Sequence, residues 1–398
     1  MVKNKIYSAL NIVGLAAGMA VAMLIALWVN YQYSYDKFLP DTDRLYQVKR
    51  NFDSNGDTLT FASTSLKLAN TLRTLPDVEY VAETNWGERH GFTVGEKKMN
   101  LSGLSVGGDF LKMFKYPRAQ GDIKSALADP YSIVLTESTA KALFGNADPL
   151  NKLVRYDNIE NLKVTAVLKD LPSNSSFDFE YLIPFSYAEI KENWIKQARV
   201  GSYGNNSFQL FAQLKPGVIY STFAPKIKQI EKVEKDNVNS MHSNVIMQPM
   251  GDWHLYAEYK NGKAVSGFIQ YVRLFSIIGG LVLLIACINF INLSTARSEK
   301  RAREVGVRKA VGSQRKDLIF QFLTESIVFV IISFVLSLVL VQLVLPAFNS
   351  LTGTTIMIPF ASGIFWLVTV IGVLITGLLA GSRPAFYLSS FNPVKVLK

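Results

Sequence analysis

The sequence predicts a membrane protein of four transmembrane helices, with an α+β extracytoplasmic domain in two lobes inserted between helices 1 and 2. Three observations predict this class. Four apolar runs are long enough to cross a bilayer, at residues 12–29, 274–293, 327–345 and 364–381. Positive charge concentrates in the short segments beside those runs. The large stretch between the first two runs is nearly neutral and mixes strand and helix patterns.

A span needs about 20 mostly apolar residues, because each adds about 1.5 Å along a helix and the hydrocarbon core is about 30 Å thick. The four runs hold 18, 20, 19 and 18 residues. Orientation follows from charge. Lys3 and Lys5 precede the first run, and Arg383, Lys395 and Lys398 follow the fourth. The loop after the second run carries Arg297, Lys300, Arg301, Arg303, Arg308, Lys309, Arg315 and Lys316. These 13 basic residues face only Glu299, Glu304 and Asp317, whereas residues 30–271 hold 28 basic and 27 acidic residues. Nearly all of the net charge of +11 therefore flanks the spans. That is the positive-inside asymmetry, with both termini in the cytoplasm and the neutral segment outside. It is not a nucleic-acid footprint.

The expected boundaries are 1–29 for the cytoplasmic N-terminus and helix 1, 30–271 for the external domain and 272–294 for helix 2. A cytoplasmic loop follows at 295–317, then helix 3 at 318–345, a short external loop at 346–362, helix 4 at 363–382 and a cytoplasmic tail at 383–398. The first run reads as a span rather than a cleaved leader. It is longer than a leader's apolar core, and Tyr31, Tyr33 and Tyr35 follow it as an interfacial aromatic belt. Cys287 is the lone cysteine, so no intrachain disulfide and no cysteine-based metal site is possible. The external domain must hold itself together by its core.

Within it, residues 208–214 alternate apolar and polar and end at the turn Lys215-Pro216-Gly217, which predicts a strand. Phe223, Ile227, Ile230 and Val233 share one face of a helix expected over 222–238. A strand at 132–135 runs into a helix at 137–144 that Gly145 stops. Another strand is expected at 162–168, closed by the turn at 171–174. Ser63 is positioned to cap a helix carrying Leu68, Leu72 and Leu75.

The chain has no phosphate-cradling G-x-x-x-x-G-K-[ST], no H-E-x-x-H and no G-x-S-x-G. His90, His242 and His254 are scattered, and no pair of external carboxylates stands out by spacing. No catalytic residue, metal site or cofactor is expected. Gly14, Gly18 and Ala22 recur every four residues in the first span, a spacing that lets helices approach closely in lipid. Gly372, Gly377 and Gly381 offer the fourth span the same possibility. Asn289 and Asn292 share a face of the second span, and buried amides in lipid seek partners on other helices. Glu325 lies about 12 Å along the third helix from Asp317. A carboxylate there faces protein, water or a basic partner, as a proton relay or, more commonly, as a structural contact.

The basic loop at 296–317 interleaves Val305, Val307, Ala310 and Val311 with its charges. Charge anchoring alone does not need those apolar residues. An amphipathic helix there could bury them in lipid or in the groove of a soluble protein.

Several separated motifs resemble one family. SYDKF at 34–38 and DRLY at 43–46 follow the first span. PYSIVLTESTAKALFGNADP occupies 130–149, VTAVL 164–168 and LPSNS 171–175. ACINFINLSTAR at 286–297, EVGVRK at 304–309 and SRPAFYL at 382–388 complete the series. Their order resembles the MacB-type, FtsX-like permease subunits of bacterial ABC transporters, the mechanotransmission class, over nearly the whole chain.

The resemblance implies a bacterial inner-membrane protein that binds a separate ABC-type ATPase, which holds the ATP. It implies a coupling helix at Glu304, Val305, Gly306, Val307, Arg308 and Lys309. Conformational change would pass from the ATPase to the external domain, for export of a drug, peptide or lipoprotein. The alternative is a non-transporting regulator of an envelope hydrolase, or a sensor, using the same coupling. Implied partners are a second permease copy or a second half, and a periplasmic adaptor or envelope protein. The motifs fit best a variant with two such halves in tandem, so the chain is expected to be one half or a subunit that pairs.

Overall fold

The computed structural model describes residues 5–54, 56–235, 237–299, 307 and 314–389. The chain forms two compact units, Ser34–Ile269 and, around it in sequence, Met1–Tyr33 with Gln270–Lys398.

The unit Ser34–Ile269 is α+β. Its strands are β1 (Leu45–Ser54), β2 (Asp57–Phe61), β3 (Val78–Thr84), β4 (Glu88–Val94), β5 (Lys97–Val106), β6 (Arg118–Gly121) and β7 (Ser132–Thr136). They continue as β8 (Leu153–Tyr156), β9 (Glu160–Leu168), β10 (Tyr181–Pro184), β11 (Gln209–Leu214), β12 (Ser243–Pro249), β13 (Glu258–Lys260) and β14 (Lys263–Ser266). Six of them close on themselves. β5 pairs β4, β4 pairs β8, β8 pairs β9, β9 pairs β7, β7 pairs β10, and β10 returns to β5 in parallel. Beyond β5, the strands β3, β11, β1 and β12 continue as an antiparallel sheet, with β2 on β1.

The burial pattern explains the composition of these strands. β7 is buried at all five residues, and its centre Ile133-Val134-Leu135 is a continuous apolar run rather than an alternation. β8 alternates exposed and buried residues, as a strand with one wet face does. Phe92, Leu101, Ile133, Val154, Leu162, Val164 and Tyr181 from the closed ring form one apolar cluster. A second cluster joins Val48, Val81, Leu210 and Met247 of the open sheet to Leu68, Leu72, Phe223 and Ile227 of the helices packed on it. A third, rich in rings, gathers Phe110, Phe114, Tyr116, Phe177 and Phe211.

The expected strands at 132–135, 162–168 and 208–214 are present as β7, β9 and β11. The helix Glu137–Phe144 ends at Gly145, whose φ of 66° suits a glycine. Two details differ. The helix expected over 222–238 is Tyr220–Ile227, followed by a 3-10 turn Ile230–Val233. Phe223 and Ile227 are buried, but Val233 is exposed. The chain turns to bring Glu231 inside, where its carboxylate accepts a hydrogen bond from Arg50 at 3.2 Å. An apolar periodicity cannot announce a buried ion pair. Nor is Ser63 the helix cap. Thr64 exchanges backbone hydrogen bonds with Phe208, which holds the chain extended until Ser65. Ser65 then caps the helix Leu66–Arg73, its hydroxyl accepting the N–H of Leu68 at 3.2 Å. Leu75 lies past the helix end, packed against the same core.

The other unit is helical. Its long helices are Lys5–Tyr33, Phe268–Glu299, Arg315–Thr352 and Gly363–Ser389. Ala9–Tyr33, Phe268–Thr295 and Arg315–Thr352 are long and apolar enough to cross a membrane, and Gly363–Leu379 is a shorter apolar stretch. Arg315–Thr352 has 38 residues, so at about 1.5 Å each it exceeds the hydrocarbon thickness and must tilt or protrude. After it, Asn349 organises the connection: its side-chain oxygen accepts from Thr354 and from the N–H of Ile356, both at 3.0 Å.

The cap assignment is testable by denaturant unfolding of the full chain followed through its tryptophans. Ser65→Ala should cost about 1 kcal/mol, whereas Ser63→Ala should leave the transition nearly unchanged.

Candidate functional site

Packing in the helical unit starts from residues without bulk. Gly18 lies against the Cβ of Ala286, so any side chain there would collide with the second long helix. Gly14 faces the amide of Asn289, at 3.5 Å from the place a Cβ would take. Leu15, Met19, Ala286, Phe290, Phe329 and Val330 then interlock the first, second and third long helices. Ser333 is fully buried and donates to the carbonyl of Ile12 at 3.2 Å. Gly377 and Gly381 let the fourth helix approach Ile327 and Ser326 of the third, whereas Gly372 meets open space. Such contacts suit lipid, where close packing rather than the hydrophobic effect favours association. Ala22 is half-buried on the same helix as Gly14 and Gly18.

The polar residues of this unit sort differently from the spacing argument. Asn289 and Asn292 are exposed on the side of the second helix. Asn11, by contrast, is buried, and it donates to the hydroxyl of Ser294 at 3.0 Å. Asn11 lies at the start of the first apolar run, where nothing in the sequence sets it apart from an interfacial residue. Glu325 is half-buried, next to Ser326 that meets Gly381. Asp317 starts the third helix: its carboxylate accepts the N–H of Gln314 at 3.1 Å. Of the residues expected to form the coupling helix, Val307 is helical and exposed. Glu304, Val305, Gly306, Arg308 and Lys309 lie outside the described residues.

In the unit Ser34–Ile269, two of the separated sequence motifs clasp each other. Asp36 sits at φ 59° and accepts both the N–H of Ser176, at 2.7 Å, and its hydroxyl, at 2.5 Å. In return Asn174 accepts the N–H of Asp36 and donates to Ser34. Burial raises the Asp36 carboxyl above its usual range, against the opposing pull of the two Ser176 bonds. Beside this clasp, the rings of Tyr35 and His254 stack with centroids 3.4 Å apart. The β13–β14 hairpin lies between His254 and the second long helix in the chain. Burial pushes its imidazole down from 6.5 to about 4, so it is neutral near pH 7.

A buried carboxylate also ties the helices to the sheet. Glu83 of β3 is 3% exposed and bonds Arg73 and Arg199, each at 2.5 Å. Burial opposes its charge, yet the two guanidinium groups prevail and hold the carboxyl below its usual range. Arg199 also bonds Glu189. No spacing rule links Arg73, Glu83, Glu189 and Arg199, so reading the sequence could not single them out.

Two measurements check this geometry. Gly18→Leu should destabilise the chain in micelles by about 1–3 kcal/mol through overpacking, while Gly280→Leu, which meets open space, should be tolerated; thermal melting of the two variants distinguishes them. His254 takes up its proton in the unfolded chain near pH 6.5 and in the folded chain only near pH 4. The folded state therefore loses stability as pH falls through that window. His254→Phe should flatten that part of the stability–pH curve relative to the parent.

Comparison with known proteins extends these observations. The model of the MacB-like periplasmic core domain matches residues 8–230, and that of the FtsX-like permease C-terminal region matches 276–393. The pyoverdine export ATP-binding/permease protein PvdT of Pseudomonas aeruginosa is 24% identical over 348 residues, which cover 82% of this chain and 46% of that protein. The uncharacterised ABC transporter permease YknZ of Bacillus subtilis is 25% identical over 273 residues, 67% of this chain and 61% of that protein. The periplasmic region of MacB from Actinobacillus actinomycetemcomitans superposes with a TM-score of 0.37 at 17% identity, covering 52% of this chain and 89% of that one. The chain spans about half the length of the pyoverdine export relatives it matches. With both domain models matched in order along its length, the chain belongs to the MacB-like, FtsX-like family of ABC transporter permeases.

Proposed function

We propose that this chain is the membrane-spanning permease part of a bacterial exporter driven by an ABC-type ATPase on a separate chain or segment, which binds the ATP. The observation that carries the reading is the ordered match of a periplasmic core domain and a permease C-terminal region. Membrane-competent helices in both parts support it. Four spans, both termini in the cytoplasm and the domain outside are the arrangement the charge asymmetry favours. The closed ring and the open sheet are our reading of the two lobes. Export is supported by the pyoverdine relatives and by the macrolide export ATP-binding/permease protein MacB of Campylobacter jejuni, 30% identical over 117 residues.

The coupling contact is assigned to Glu304 through Lys309, where valines and cations alternate in a way a protein groove would accept. A second copy or second half is assigned to the exposed side of the second helix that carries Asn289 and Asn292. An adaptor or envelope protein would engage the external unit. Glu325 is assigned a structural rather than a proton-relay role.

The test is reconstitution with the ATPase that co-purifies with the chain. Arg308→Glu combined with Lys309→Glu should abolish the permease-dependent part of ATP hydrolysis while leaving the fold and membrane insertion intact. Undiminished stimulation in that variant overturns the assignment. Stimulated hydrolysis with no export in cells would instead favour the regulator of an envelope hydrolase.

A further inference from the structure

The unit Ser34–Ile269 contains an open groove of about 710 Å³ whose walls include Trp86, Tyr35, His254, Gln47 and Gln209. That volume falls within the usual range for small-molecule sites, about 300–1,000 Å³. We propose that the groove binds a short oligosaccharide, with Trp86 and the Tyr35–His254 stack as aromatic plates and the side-chain amides as hydroxyl partners. The proposal goes beyond the permease reading and does not depend on coupling to an ATPase.

Trp86 is the first observation. The residue is 56% exposed, yet its ring is held in place. The indole N–H donates to the carbonyl of Ser207 at 2.9 Å. The turn that presents it is fixed on both sides. Asn85 accepts the N–H groups of Ser105 at 3.0 Å and Gly87 at 3.4 Å, and Gly87 takes a φ of 86° that favours glycine. A large apolar plate immobilised in water gains little for folding, but it is preorganised for a ligand. Sugar rings present flat C–H faces that cover such plates.

The second observation is the polarity of the walls. Gln47 donates to Gln209 at 3.2 Å, and Gln209 donates to the carbonyl of Asn85 at 3.2 Å, so the two amides are aligned side by side on β1 and β11. Asp178 is exposed at the groove and makes no hydrogen bond or ion pair among the described residues. Glu88 and Arg89 place an acceptor and donors on the same rim. Hydroxyl groups, which donate and accept, suit this mixture.

The alternatives fit less well. A drug-like amphiphile prefers a largely apolar enclosure, and polar residues outnumber apolar ones here. An anion would meet Glu88 and Asp178 against Arg89, with His254 neutral. A peptide that adds a strand needs a free sheet edge, but β1 is paired by β11 and β12, and β11 by β1 and β3.

The test is isothermal titration of the full chain in lipid nanodiscs, free of glycosidic detergents, with chitotriose, maltotriose and cellotriose. Saturable binding of at least one trisaccharide is expected. Trp86→Ala and Asp178→Ala should each weaken it about tenfold. Trp86→Phe should retain part of the affinity, because it keeps a plate, and Tyr131→Ala, an exposed ring outside the groove, should leave it unchanged. Three outcomes overturn the proposal: no heat with any trisaccharide, binding that Trp86→Ala does not weaken, or saturable binding of the cationic dye rhodamine 6G with none of the sugars.

Discussion

The architecture of the external unit depends on the contact between Gly103 and Tyr181. A Cβ at residue 103 would collide with the Tyr181 carbonyl and ring, so only glycine lets the two backbones pair there. That pairing makes β10 a parallel neighbour of β5 and closes the ring. Ser102 and Glu180 reinforce it. The Ser102 carbonyl accepts the N–H of Glu180 at 2.7 Å, and the Glu180 carboxylate accepts the N–H of Ser102 at 2.8 Å. β5 has ten residues and uses them for different neighbours in turn: β4 along most of its length, then β10, and β3 at Val106. One strand thus joins the closed ring to the open sheet. Their cores are separate clusters, with the aromatic cluster around Phe114 drawing on residues from both.

Missing bulk organises the helical unit as well, for a different reason. In the external unit the glycine admits a backbone hydrogen-bonding partner. In the helical unit Gly18, Gly377 and Gly381 admit a neighbouring helix. Their return is dispersion between closely packed surfaces, since lipid offers apolar contacts everywhere else. Asn11 and Ser333 add hydrogen bonds across the same interfaces. Gly14 and Gly18 were legible in the sequence by their spacing. Asn11 was not, because a lone amide near the end of an apolar run has no periodicity to betray its direction.

The resemblance motifs acquire physical content in the structure. SYDKF and LPSNS lie about 140 residues apart, and SYDKF forms one hydrogen-bonded clasp with LPSNS and the Ser176 that follows it. EVGVRK belongs to the basic loop, and all of it but Val307 lies outside the described residues. Motif order was therefore a guide to folding for the SYDKF–LPSNS pair.

Local pattern determined what depends on nearest neighbours in the chain. Four apolar runs, the charge that flanks them, the strands β7, β9 and β11, and the helix stopped by Gly145 all follow from hydropathy, period and turn chemistry. Only the tertiary structure decided what depends on residues distant in sequence. Thr64 bonding Phe208 moved a helix cap to Ser65. Arg50 drew Glu231 inside and ended an apolar face early. Gln47, Trp86 and Gln209 came to line one groove with Tyr35 and His254. Each of these rests on a directional polar interaction between elements far apart along the chain, and such interactions leave no periodic trace in the sequence.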